Sequence, residues 1–187
     1  MRRSIPPVLA IALLATALTG CAASAPEPTA APTAAPTEST PDLDCPATDE
    51  GTGEIALLVV QGGFGDDFMV ADISTVYLDV TETQRSVRIP GDDGPLALPG
   101  STVTADYAIF DGATGAEIVT TFGGLPEEFV LDDTQLPVGI VKVLSCSTPN
   151  TRVAGIIPAS EGFETPPEGF PTGVPLLFVA DIRTVSE

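Results

Sequence analysis

The chain has 187 residues, which suits one domain of ordinary size plus non-globular extras, and at 43% hydrophobic it has material for a packed core. Having no histidine, it cannot offer imidazole bases, Ser-His-Asp triads or most zinc sites. Its 26 acids against 7 bases give a formal charge of −19, a surface that repels nucleic acid and anionic headgroups.

The first segment reads as an address. Arg2 and Arg3 form a positive start and Val8 to Leu18 an apolar stretch of signal-peptide length. A bilayer span takes roughly 20 apolar residues, so this stretch is too short to remain as an anchor. It ends in Leu18-Thr19-Gly20-Cys21, which resembles a lipobox. Small residues before the cysteine allow cleavage, and the Cys21 thiol then carries diacylglycerol. The expectation is a protein lipid-anchored at the extracytoplasmic face of the cell membrane; the plainer alternative is a secretory signal that happens to contain a cysteine. Cleavage removes both arginines, leaving 5 bases against 26 acids, a charge of about −21.

Residues 21–44 hold the lipid site and a tether dominated by Ala, Pro and Thr, with Thr29-Ala30-Ala31-Pro32 repeated as Thr33-Ala34-Ala35-Pro36. With no hydrophobic period to bury, the segment is expected to be a disordered tether. At about 3.1 Å per residue it reaches up to roughly 70 Å.

The 19 prolines and 18 glycines call for a turn-rich, mostly β body. Glu54–Val60 is a short apolar run, read as a strand, ending at Gln61-Gly62-Gly63. Val70–Val80 alternates in part through Val76, Leu78 and Val80. Arg85–Ile89 alternates up to Pro90-Gly91, and Thr102–Phe110 through Val103, Ala105, Tyr107 and Ile109. Glu117–Phe122, Glu128–Leu131, Val138–Leu144, Arg152–Ile157 and Pro175–Val185 complete the set. By residue pattern alone every element is a strand, and the fold would be a β-sandwich.

With Cys21 taken by lipid, Cys45 and Cys146 remain in an oxidising compartment. A bridge closing about 100 residues stabilises by a few kcal/mol in the chain-entropy model; two free thiols are the alternative. Asp66-Asp67, Asp92-Asp93 and Asp132-Asp133 lack EF-hand spacing, and neither metal nor cofactor is expected. Gly62-Gly63-Phe64-Gly65 lacks the lysine of a phosphate loop and reads as a turn.

From about Thr83 onward the order of motifs resembles the FKBP-type peptidyl-prolyl cis-trans isomerases. "QRSVRIPGDDGPLALPGSTVTADY" (84–107) resembles the family's opening strand, Gly-Asp-Gly turn and second strand, and "DGATGAEIVTTF" (111–122) its next loop and strand. "PEEFVLDDTQLPVGIVKVL" (126–144) is similar to a strand, a turn and the family's helix. "TRVAGIIPASEGF" (151–163) resembles its Ile-Pro pair and pocket loop, and "PLLFVADIRTV" (175–185) its closing strand. The resemblance implies an α+β fold, an antiparallel sheet curled around one short helix. It places that helix at Gly139–Ser145, against the strand reading. The organisation expected is a signal peptide at 1–20, the tether at 21–44, an N-terminal β extension at 45–82 and the FKBP-like domain at 83–187.

The resemblance also implies a site. Tyr107, Phe163 and Phe178 stand at pocket aromatics, and Leu136 and Pro137 where backbone groups meet the ligand. Ile140 stands at the pocket floor, with Phe129 and Ile157 completing the wall. Ile118 replaces a family Phe, Val119 replaces the Asp after it, and Glu127 occupies a commonly apolar position. These departures imply isomerase activity that is weak or absent, acting as a monomer on proline-containing segments of secreted proteins. The alternative is a non-catalytic member binding a peptide or protein partner, and a β-sandwich adhesion or solute-binding lipoprotein follows if the resemblance is false.

Overall fold

The computed structural model describes residues 51–66, 70–72 (backbone alone) and 79–187. The signal segment, the tether, Cys21, Cys45 and the alternation at Val76 and Leu78 lie outside the described residues.

A 3-10 helix, Gly53–Leu57, opens the described chain. Strands β1 (Val59–Gln61) and β2 (Val70–Asp72) pair antiparallel as a separate two-stranded sheet. Strands β3 (Gln84–Ile89), β4 (Thr102–Asp111), β5 (Glu117–Thr120) and β6 (Glu127–Val130) come next. Helix α1 (Val138–Leu144), β7 (Arg152–Ile157) and β8 (Leu176–Ser186) follow. The six later strands form one antiparallel sheet in the order β3-β7-β8-β4-β5, with β6 also pairing with β4.

Strand alternation gives this sheet two buried faces. Val103, Ala105, Tyr107 and Ile109 of β4 share one core with Phe178, Ala180 and Ile182 of β8, and α1 lies against them. The register shifts between Thr104 and Ala105, where β8 carries Arg183 as an extra residue. After that bulge Val185, rather than residue 184, faces the core.

Two readings of the residue pattern are corrected here. Val138–Leu144 is a helix, as the resemblance implied, because Ile140, Val143 and Leu144 are its buried side chains and recur at i, i+3 and i+4. Its β-branched residues favour a strand locally, and packing overrides them. With that helix on the sheet, the architecture is α+β and the β-sandwich reading fails. The start of Glu54–Val60 is the 3-10 helix, not a strand. Ile55 and Leu58 are both buried while Leu57 is 65% exposed, and a three-residue repeat serves that burial where strict alternation would not.

Glycine sets how closely α1 approaches. A Cβ on Gly155 would sit 2.1 Å from a Val143 methyl, and one on Gly139 2.3 Å from an Ile157 methyl. The C-terminal carbonyls of this seven-residue helix are engaged by Arg85 Nε, which donates to Val143 O at 2.9 Å, and by Ser145 Oγ, which donates to Val141 O at 2.7 Å. Cys146 follows in left-handed conformation (φ 61°), its N–H donating to Ala97 O at 2.8 Å. It is disulfide-bonded, and the expected partner Cys45 is outside the described residues.

The opposite face of the sheet is covered by the extension. Ile55 and Leu58 pack on Ala108, Phe110, Ala154, Ile156, Leu177 and Val179. Beside them Arg152 (1% exposed) donates from Nε and Nη2 to Asp181 (0%) at 2.5 and 2.7 Å. Arg152 also donates to the carbonyls of Gly62 and Gly63, at 2.6 and 2.7 Å, and Gly65 N–H donates to Asp181 at 2.7 Å. A buried ion pair is tolerated only when its remaining polar sites are satisfied. The glycine-rich turn supplies those partners.

Replacing Gly155 with alanine is expected to destabilise the protein by about 1–3 kcal/mol through overpacking against Val143. In a Val143→Ala background the same change should cost much less. Urea unfolding of the two single mutants and the double mutant measures the coupling.

Candidate functional site

The site is built where β4, β6, β8, the segment leading into α1 and the loop after β7 converge. Tyr107 stands mid-way along β4, its N–H donating to Thr121 Oγ1 at 2.8 Å while Thr121 N–H donates to Tyr107 O at 2.9 Å. Its ring meets Phe129 of β6 edge-on at 5.3 Å and Phe178 of β8 at 5.8 Å. Its hydroxyl donates to Glu127 Oε2 at 3.0 Å. Burial, then the hydrogen bond to Glu127 and its negative charge, hold the phenol up at about 12.

A cleft of about 420 Å³ opens between residues 133–138 and residues 160–164, and none of Tyr107, Phe129 and Phe178 lines it. Leu136, Pro137 and Phe163 give it apolar surface. One wall is set by Asp132, which accepts from Thr134 N–H and Oγ1 at 2.8 Å each and from Gln135 Nε2 at 3.0 Å. The Gln135 bond first, then those from Thr134, hold its carboxyl below the usual range. Asp132 O also accepts from Leu136 N–H at 2.9 Å, which fixes the turn into α1. The other wall is tied by Glu161. Its carboxylate accepts from Thr83 N–H (3.1 Å) and Oγ1 (2.6 Å) and from Lys142 Nζ (2.7 Å). Burial pushes this carboxyl up, but the bonds from Lys142 and Thr83 outweigh that and leave it below its ordinary value.

Of the residues expected at the site, Tyr107, Ile140, Ile157 and Phe178 are buried members of the helix-side core. Ile118, Val119, Phe129, Leu136 and Phe163 pack against it partly buried. Pro137 precedes α1 and lines the cleft. Reasoning from sequence missed two residues. Phe170 meets Phe163 edge-on at 5.0 Å, and the signal was an aromatic at each end of the proline-rich loop. Glu127 stood out as a charge at a commonly apolar position, but its bond to the Tyr107 hydroxyl was not foreseen. Val119 puts no carboxylate at its own position on β5; Glu127 at the start of β6 brings one to Tyr107. Among the described residues no three His, Cys, Asp or Glu side chains are grouped so as to hold a metal ion.

No protein-family model matches the chain, and no curated protein sequence does. Solved structures do. A multi-domain immunophilin from Arabidopsis thaliana aligns with a TM-score of 0.50 at 15% identity, over 59% of this chain and 45% of that one. FkpA from Escherichia coli aligns at 0.49 and 20% identity, over 56% of this chain and 48% of that one. A peptidyl-prolyl cis-trans isomerase from Pseudomonas syringae pv. tomato DC3000 aligns at 0.49 and 19%, over 56% and 76%. The alignment to FkpA thus spans about half of that protein's length. At these identities likeness speaks for fold, and the 0.50 match supports it. The chain has an FKBP-like α+β fold.

Two measurements follow. With Tyr77→Phe leaving Tyr107 as the sole tyrosine, tyrosinate absorbance should titrate near pH 12. Adding Glu127→Gln should lower that midpoint toward, but not to, 10.0, since burial persists; an unmoved midpoint would show that Glu127 does not act on the phenol. Glu161 is depressed when folded, so its stabilisation is full above the unfolded value of 4.5 and is lost as pH falls through the lower folded one. Urea midpoints measured from pH 6 to 3 should therefore fall less steeply in Glu161→Gln than in wild type.

Proposed function

We propose that this chain is an extracytoplasmic peptidyl-prolyl cis-trans isomerase of low activity, acting on proline-containing segments of secreted proteins. In this reading the lipid on Cys21 holds it to the membrane and a Cys45–Cys146 bridge closes the folded part. The observation that supports the activity is the cleft's make-up: Leu136, Pro137 and Phe163 line it, and Leu136 and Phe163 also pack against the core that holds Tyr107 and Phe178.

Rotation about a peptide bond faces a barrier of about 18–20 kcal/mol set by amide resonance. Twisting the X-Pro bond breaks that resonance and reduces charge separation across the amide. An apolar, water-poor surface therefore stabilises the twisted amide over the planar one. The proline ring packs on aromatic faces such as Phe163. No proton has to move. Histidine, metal and nucleophile are all dispensable for this step. The role of Tyr107, tied to Glu127, is to fix the wall rather than to exchange a proton.

A second reading is favoured by burial. Tyr107, Ile140 and Phe178 are only 9%, 4% and 1% exposed, so those three rings and chains offer a substrate little surface. A cleft of this kind suits a peptide binder without catalysis.

Exchange spectroscopy on an Ala-Leu-Pro-Phe peptide separates the two. Catalysis predicts faster cis-trans interconversion with the protein present, and a loss of about five- to tenfold in kcat/KM for Phe163→Ala, the size of one aromatic contact. Peptide line broadening with interconversion left at the spontaneous rate selects the binder.

A further inference from the structure

The proposed cleft has a charge pattern that its reaction does not use. Three carboxylates, Asp133, Glu161 and Glu164, line it, and no lysine or arginine does. Glu161 is committed to Thr83 and Lys142. Asp133 and Glu164 are exposed, one on each wall, and make no hydrogen bond or ion pair within the described residues. The described cations are all engaged. Lys142 is held by Glu161, Arg152 by Asp181 and Arg183 by Asp106. Arg85 donates to Val143 O and Ser147 Oγ, and Arg88 to Ile55 O. Among the described residues no cation pairs with Asp133 or Glu164.

We propose that the cleft selects proline segments with a lysine or arginine on each side of the apolar residue and proline. The apolar surface of Leu136, Pro137 and Phe163 takes the central Leu-Pro pair. Asp133 on one wall and Glu164 on the other then meet basic side chains arriving from the two ends of an extended peptide. The carboxylates do not constitute the site; they decide what enters it. Segments flanked by acids are disfavoured by the same charges, and by a surface of about −21 after cleavage. Because both walls are solvent-exposed, each pair contributes modestly and is screened over about 8–10 Å at moderate salt. The preference is therefore moderate and salt-dependent. This rests on the cleft being the peptide site.

The test measures binding of three labelled peptides to the full-length protein in mild detergent, by fluorescence anisotropy. They share Ala-Leu-Pro-Phe at the centre and carry lysine, glutamine or glutamate at both ends. At low salt the lysine peptide should bind about three- to tenfold tighter than the glutamine peptide, and the glutamate peptide more weakly than either. The lysine preference should shrink toward one as salt approaches about 1 M. Asp133→Asn with Glu164→Gln should collapse it at low salt. Asp93→Asn with Glu117→Gln removes the same charge elsewhere and should preserve it. Equal binding of the three peptides would overturn the selectivity while leaving the peptide site standing. An equal fall in both double mutants would overturn it by tracing the preference to overall charge. Failure of all three to bind would overturn the peptide site together with the selectivity.

Discussion

The close approach of α1 to the sheet is the constraint on which the site depends. The helix has seven residues, too few to be stable alone, and several of them are β-branched. It exists because Ile140, Val143 and Leu144 are buried against β7 and β8, and because Gly139 and Gly155 leave room where any side chain would collide. That approach sets where Pro137 enters the cleft and where Lys142 can reach Glu161. The two walls of the cleft are thus joined through the helix.

The other face of the sheet shows why the extension belongs to the same folded unit. A sheet with Phe110, Ile156 and Leu177 on its second face cannot leave that face to water. Ile55 and Leu58 cover part of it. The Arg152–Asp181 pair is also buried there, and carbonyls of Gly62 and Gly63 with the N–H of Gly65 complete its hydrogen bonding. Arg183 adds a contact of the same kind, bonded to Asp106 and lying over the Phe64 ring at 4.9 Å. Thr83, just after this region, is bonded to Glu161 of the cleft.

At the site itself, a charged group meets an otherwise apolar ring cluster. Val119 packs against the core, and the carboxylate that meets the Tyr107 hydroxyl belongs to Glu127. β5 and β6 follow each other along the same edge of β4, so either strand can deliver a group to Tyr107. The rings of Tyr107, Phe129 and Phe178 close on one another, and Phe163 with Phe170 forms a second pair. Apolar surface lining the cleft is therefore that of Leu136, Pro137 and Phe163 rather than of the buried Tyr107 and Phe178 rings.

Much of this was written in local pattern. The strands β3 and β4 announce themselves by alternation and by turn residues at their ends, because side chains on a strand point to opposite faces in turn. Strands β7 and β8, buried nearly throughout, read as strands without alternating. The lack of histidine and the excess of acid were equally plain, as they depend on composition alone. The helix was not legible from propensity: Val138, Ile140, Val141 and Val143 favour a strand, and only their burial on one side of a helix decides otherwise. The same holds for Gly53–Leu57; the turn at Gly62–Gly65 was legible as a turn, but its purpose lies in residues about 90 positions away. Glu127 could be seen as out of place, yet its partner could not. Sequence determines what each segment prefers and which side chains are available; tertiary structure decides which of them meet, since pairing across a sheet joins positions that the chain itself keeps far apart.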